Sequence, residues 1–461
     1  MRPIVIRLVG RSLVWVEGEK EHKRMRSLIA PAFSSDNVRA MHSDVYYVSS
    51  ALQARIANEV HASGKSSLQL NILDYTALAT LDIIGRVAFG HDFNAVGDAP
   101  DAMKIINTMR AHHETGCEHS AFTALLILRI FPWITSLPLK AIQAQSAVAD
   151  TVRKLAKDII ANGQIDNKGS TKDLMSLMLQ ANTCQHESKR CDITEIYEHI
   201  VTFVYVFSYY FCCYCIGATS TVNVLFFHSV AGHDTVASAL AFTMWALAQN
   251  PDIQRKLREE VRNIPGEPTY DDFVDPNLLP YLDSVCKEAM RMFPPSARNE
   301  KVVEEDDVIP LRHAIRGEDG SWIKSIPVKK GQVIHIPSMG INRDEAVFGD
   351  ADTFRPTRWL VGRGDAAEDK YCTPGERGIP PADQMCGGWS GLFTFLEGPR
   401  ICVGMKLALF EYKAILTTLI RSFQFHDTGA AISMRNFGLL APRVIGREHE
   451  GLNLPVKLTL I

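Results

Sequence analysis

Twelve residues near the C-terminal end, "FTFLEGPRICVG" from Phe393 to Gly404, place Phe395, Gly398, Arg400, Cys402 and Gly404 in the spacing F-x-x-G-x-R-x-C-x-G. A lone cysteine is usually a small buried hydrophobe. This one stands between two glycines that let backbone approach a flat ligand. A helical pattern begins just after it, and amides at a helix N-terminus stabilise a thiolate. Arg400, two residues earlier, can reach an anionic group. That combination is what a haem-thiolate iron site needs.

Four more motifs stand in order along the chain. "HKRMR" holds His22 and Arg26, "AGHDT" runs from Ala231 to Thr235, "KEAMR" holds Glu288 and Arg291, and "FRPTRW" holds Arg358. Each alone is weak, since E-x-x-R occurs by chance in many helices. With the Cys402 motif and in this order, the chain from Gly18 to Leu460 resembles the cytochrome P450 family, in its wording the fungal microsomal members. The resemblance implies a mainly α fold with a minor β part, carrying haem b (iron protoporphyrin IX) on Cys402. It implies that Phe395, Gly398, Arg400 and Gly404 shape the haem loop, that His22 and Arg26 bind haem propionates, and that Ala231 and Gly232 form an oxygen-binding groove. Lys301 occupies the position of a common propionate-binding arginine, where it acts as a point charge without the bidentate fork.

The residues themselves support these roles. Glu288 and Arg291 lie at i and i+3 on one helical face, so they can pair and leave a donor edge for Arg358. Such a network is structural, and the expectation is that it holds the irregular stretch 361–390 below the haem. Gly232 leaves a gap where a side chain would be, with the Asp234 acid and the Thr235 alcohol beside it. Oxygen activation consumes two protons, which an acid/alcohol pair with water can supply, while the Cys402 thiolate favours O–O cleavage. The plainer reading makes Thr235 a helix-kink residue and Asp234 a solvated charge. Two departures stand out: Thr357 where the family has an acid, expected to weaken the network around Arg358, and Glu397 where it has glycine, placing a negative charge near the haem loop.

The elements that must position these groups are mostly helical. Apolar spacing of 3–4 residues runs through much of 35–190. "DITEIYEHIV" opens on an N-cap Asp with Glu three residues on. A helix broken before Pro251 follows the AGHDT motif, and "LPYLDSVCKEAMRMFPP" is a helix stopped by a double proline. From Asp307 to Pro337 the pattern turns β-like around "EDG" and "KKGQ", 361–390 is irregular, and a last helix spans about Met405 to Phe423. No linker interrupts the 461 residues, so a single domain is expected.

With 46% hydrophobic and 22% charged residues and a net charge of -3, the chain carries no general basic field for nucleic acid. Ten cysteines without a secretory signal point to free thiols. "HHETGCEHS" (His112 to Ser120) fits no common zinc spacing and reads as a helix end or loop. The basic face "KEHKRMR" reads either as a solvated helix face or as a dock for an acidic electron donor. By resemblance that donor is NADPH-cytochrome P450 reductase, with cytochrome b5 a further candidate, and the activity is insertion of one oxygen atom from O2 into a small apolar substrate, as in secondary metabolism. The family resemblance also implies an N-terminal anchor on the cytoplasmic face of the endoplasmic reticulum membrane, with first strands of a sheet, neither of which is found ahead of the His22 motif. Competing classes are a haem-thiolate isomerase or dehydratase, which needs no proton delivery, and a non-functional product of a faulty gene model.

Tyr205 to Ser229 has no charged residue and separates "EHIVTFV" from "VAGHDT" inside the family's central helix. Excising it gives "EHIVTFV-VAGHDTVASAL", the uninterrupted family pattern. Val204-Tyr205-Val206 can be encoded with the splice donor GTATGT and His228-Ser229 with an acceptor YAG, so the expectation is a translated intron of 75 nucleotides that keeps the reading frame. A surface-looped insertion and a membrane span stand beside it. The span is long enough, but it carries Ser, Thr, Asn and Gly in its middle and lacks flanking Lys/Arg.

Overall fold

In the computed structural model, the described residues are 12–13, 16, 18–115, 157, 174–182, 192–196, 199, 232–437 and 439–461. Tyr205–Ser229 and Ala231 lie outside them, as does most of "HHETGCEHS".

Among the described residues the longer helices follow an apolar period of 3–4: α1 Glu19–Ile29, α2 His42–Ala62, α3 Ile72–Phe89, α4 Pro100–Thr115, α5 Leu174–Asn182, α6 Asp234–Gln249, α7 Pro251–Arg262, α8 Pro280–Met292 and α9 Met405–Ser422. Each boundary has a local cause. Gly90, at φ 59°, closes α3 with a left-handed cap. Pro251 and Pro280 open their helices at the first turn, where a missing N–H costs nothing. The Glu260 carboxylate, carried on α7, accepts from the Tyr281 and Leu282 amides at 2.9 and 2.7 Å, capping α8 from a neighbouring helix. Glu195 accepts from the Asp192 amide at 3.1 Å, as the capping pattern implies.

Helix α6 is apolar on every side, and twelve of its residues, Val236 through Met244 and Ala246 through Ala248, are buried. A helix with no polar face belongs in the middle of a fold. Three hydroxyls tie it to its neighbours: Thr76 on α3 donates to the Ala237 carbonyl at 2.9 Å, Thr243 pairs with Tyr412 of α9 at 2.7 Å, and Ser238 donates to the Leu440 carbonyl at 2.9 Å. Lys413 on α9 reaches Asp283 on α8 at 2.7 Å and the Phe273 carbonyl.

The strands are a minority: β1 Leu68–Asn71, β2 Asn299–Val302, β3 Asp307–Arg316, β4 Trp322–Val328, β5 Val333–Ile336, β6 Phe423–His426, β7 Ile432–Phe437, β8 Leu439–Val444 and β9 Pro455–Leu460. They pair antiparallel as β1–β9–β6, β2–β5, β3–β4 and β7–β8. The fold is thus mainly α with a small β part, as the sequence implies. Stretch 361–390 is largely irregular, broken by short helices such as Ala366–Tyr371.

Candidate haem-thiolate site

The loop 395–404 is a short 3-10 turn, Gly398–Arg400, leading into α9 with Gly404 as its N-cap. Leu396 and Gly398 both have positive φ, 64° and 74°. Glycine takes that conformation freely, whereas leucine is strained there. The Cys402 amide donates to the Phe395 carbonyl at 2.9 Å, folding the cysteine back over the aromatic residue. Phe395 is buried and packs edge-on against Trp389, ring centres 5.4 Å apart. The exposed Glu397 carboxylate folds back over Gly387, into the space a side chain at 387 would occupy.

Cys402 is densely surrounded by protein yet keeps an exposed face. Burial raises its thiol pKa, and the backbone amides of Gly404 and Met405 and the Arg26 charge pull it down. A metal on the sulfur removes the proton outright, and those amides then stabilise the thiolate.

Three predicted anion-binding groups converge here. Arg26 on α1 donates to the Ile401 carbonyl at 2.6 Å, next to the cysteine, and Arg400 donates to the Val16 carbonyl at 3.2 Å. His22 is buried one turn before Arg26 on the same helix. Burial, with the Arg400 and Arg26 charges, pushes its pKa down to about 4. A neutral imidazole between two guanidiniums is a donor set for carboxylates, and beside a thiol with an open face it fits the propionates and iron of a haem. Lys301, by contrast, is exposed on β2 opposite Ile334.

His22 gives a measurable consequence. Its folded pKa of about 4 lies below the ordinary 6.5, so as pH falls from 6.5 towards 4 the unfolded chain takes up a proton that the folded chain refuses. Stability contributed by the neutral His22 is complete above pH 6.5 and declines through that window. Denaturation of His22→Asn against the unaltered chain should show a shallower decline across it; equal slopes would remove His22 from the account.

The Glu288, Arg291 and Arg358 side chains are all fully buried. Arg291 grips Glu288 with two bonds of 2.9 Å, and Arg358 Nε adds a third at 3.1 Å. Two donors escape the sequence reading: Trp359 Nε1 at 3.0 Å and the Arg355 amide at 2.8 Å. The remaining guanidinium N–H groups donate to carbonyls of Asn342, Phe348, Gly349, Asp350, Ala351 and Thr353. The segment the network holds is therefore 342–353, a correction to the expectation of 361–390; only 376–379 of that stretch is tied in, through Arg355 and the Arg358 carbonyl. Nor does Thr357 leave a gap, since Glu376 supplies the acid. It accepts from the Thr357 hydroxyl and from Arg355 at 3.0 Å.

At the start of α6, Gly232 and His233 form a bend, and Asp234 and Thr235 occupy the first turn, both partly buried. The side chain of His233 is fully buried with Nε2 3.2 Å from Asp234 Oδ1. The sequence motif gives this histidine no signature of its own; only its burial and its contact with the acid mark it. On α1, Arg24 is paired with Glu21 and Glu195, both at 2.6 Å. With His22 and Arg26 turned to the loop, Lys20 and Lys23 are the exposed cations of that face.

The sequence profile described as Cytochrome P450 matches residues 8–205 and 219–444. The chain belongs to the cytochrome P450 family. Cytochrome P450 monooxygenase 128 of Postia placenta is 30% identical over 98% of this chain and 78% of its own length. Cytochrome P450 monooxygenase claQ of Ampulloclitocybe clavipes is 28% identical over 98% of the chain and 77% of its own length. Membership makes the chain an oxidoreductase of the monooxygenase class, for which haem iron is the family's cofactor. No helix among the described residues is long and apolar enough to cross a membrane.

Proposed function

We propose that this cytochrome P450 binds haem b and inserts one oxygen atom from O2 into a small apolar organic substrate. Its electrons come from NADPH through NADPH-cytochrome P450 reductase at the endoplasmic reticulum membrane. The observation that carries the reading is the convergence of Arg26, Arg400 and His22 beside Cys402, whose thiolate the Gly404 and Met405 amides favour.

When bound, the haem supplies the one-electron and oxygen chemistry. Cys402 would hold its iron, with the Gly404 and Met405 amides sharing the sulfur's charge. Arg26, Arg400 and the His22 N–H would hold its carboxylates and fix its orientation. At Gly232 no side chain would obstruct the bound group. Asp234 stands beside Thr235 at the start of α6, with the buried His233 Nε2 3.2 Å from its carboxylate, and the acid/alcohol pair would hand on protons. That acid/alcohol pair favours oxygen activation over isomerisation or dehydration, which needs no such protons.

Tyr205–Ser229 we read as foreign to the fold. The reading is supported by the lapse of the family match over 206–218, inside that segment, and by the intact family pattern that its removal restores. The test is a reduced carbon monoxide difference spectrum, with NADPH consumption, on the chain as given and on a form lacking 205–229. The shortened form should show the red-shifted Soret band of thiolate-ligated haem and consume NADPH. An equally full band in the chain as given would overturn the foreign-segment reading. Substrate conversion without NADPH consumption would replace the monooxygenase by an isomerase or dehydratase.

A further inference from the structure

A cavity of about 60 Å³ lies where α3, α4 and α6 meet β8. It is too small for an organic substrate. A water needs about 10–15 Å³ on this measure together with two to four polar partners, so the space suits more than one. Its polar lining is Asp74 from α3, Arg110 from α4, and Asp234 and Ser238 from α6; the rest of the wall is apolar, with Leu73 and Ile106 in it. The Ser238 proton is given to the Leu440 carbonyl, which leaves the hydroxyl oxygen to accept from water.

The two acids sit at different depths. The side chains of Asp74 and Arg110 are 32% and 37% exposed and form an ion pair. Asp234 is 17% exposed, next to the fully buried His233. The route through the cavity thus runs from a partly solvated pair to the acid beside Thr235. Asp74 is braced further by Asn71, which donates at 2.9 Å. Burial pushes its pKa up against the pull of Arg110 and Asn71. The cavity's walls are pinned by the Thr76 bond to the Ala237 carbonyl and by the Ser238 bond. The charged groups around it are Asp74 from α3, Arg110 from α4 and Asp234 with its neighbour His233 from α6.

Resting on the monooxygenase reading, we propose that this cavity is the proton inlet of the site, with Asp74, held by Arg110, as the outer acid and cavity water carrying protons to Asp234. A solvent proton adds to the Asp74 carboxylate, moves to a cavity water, and that water gives a proton to Asp234. Asp234 passes its proton on towards Thr235 and the reacting oxygen. Both carboxylates return to their starting state, and no electrons move along this path; those come from the reductase. Asp74 acts through Asp234 and is a positioning and relay residue, not a catalytic one.

The test compares Asp74→Asn and Asp74→Glu in the haem-loaded chain, in the form that shows the thiolate band. Asp74→Asn should keep that band and its NADPH consumption, while product per NADPH falls about tenfold and released peroxide rises, a loss smaller than the roughly 10²–10⁴-fold of a direct general acid because Asp74 acts through Asp234. The solvent deuterium isotope effect should grow, and Asp74→Glu should restore most of the loss. Independently of turnover, infrared titration should show the Asp234 carboxyl band, assigned by its absence in Asp234→Asn, with its midpoint displaced in Asp74→Asn. If Asp74→Asn misfolds, Arg110→Gln leaves α3 unaltered and should lower product per NADPH in the same direction. Unchanged product yield, isotope effect and carboxyl band would overturn the inlet. Absence of the thiolate band in the parent chain would sink the monooxygenase reading instead, so the two failures are distinct.

Discussion

Cys402→Ser is expected to abolish the red-shifted carbon monoxide band and to lower turnover by at least about 10³-fold, equivalent to about 4 kcal/mol of transition-state stabilisation. Serine fills nearly the same volume, and the bond from residue 402's amide to the Phe395 carbonyl does not involve the side chain. The loop and its entry into α9 should therefore persist, and thermal unfolding of the variant should track the parent closely. What disappears is the soft, electron-rich ligand. Its oxygen analogue has an alcohol's pKa, which two backbone amides and the Arg26 charge do not bring to neutrality. A variant that unfolds with the parent but still shows the thiolate band would mean that the sulfur on the iron belongs to another cysteine. Among the described residues Cys286 is fully buried and Cys372 and Cys386 are half-buried, each with its thiol pKa raised by burial.

The features legible in the sequence are those whose physics is local. The Cys402 loop could be read because its glycines, its arginine and its helix start all lie within twelve residues. The Glu288–Arg291 pair could be read because one helical turn brings i and i+3 together. The boundaries at Pro251 and Pro280 follow from the missing proline N–H. Groups joined across long sequence separations stayed hidden. Glu376 takes the part of the acid absent at Thr357 from 19 residues away, Trp359 approaches Glu288 from another element, and Asp74 shares a cavity with Asp234 across three helices. None of these has a spacing rule, because the partners meet only when the helices pack. The segment held by the arginines was misplaced for the same reason. A guanidinium's carbonyl partners depend on where an irregular chain runs, and sequence periodicity says nothing of that. His233 was overlooked because a spacer between Gly232 and Asp234 has no signature of its own until its burial and its contact with the acid are known.

The Glu288 network should show the largest stability effects, in an order set by which charges are left behind. Glu288→Leu leaves two fully buried guanidiniums side by side with no anion between them, and breaking a buried pair in this way costs about 3–5 kcal/mol. Arg358→Leu is milder, because the carboxylate keeps both bonds from Arg291 and those from Trp359 and the Arg355 amide. Its cost is the donors lost to the Phe348, Gly349 and Asp350 carbonyls, about 1–3 kcal/mol. Burial lowers the Arg358 pKa against the pull of Glu288. Replacing Glu288, Arg291 and Arg358 together by leucine should cost less than the sum of the three single changes, since no buried ion remains unpaired. Urea denaturation followed by intrinsic fluorescence would give the order. If Arg358→Leu proved as damaging as Glu288→Leu, the carbonyl anchors of 342–353 would outweigh the ion pair. The network's main work would then be to fix the backbone that carries Asn342, whose amide donates to the Thr394 hydroxyl at 2.9 Å, one residue before Phe395 and the cysteine loop.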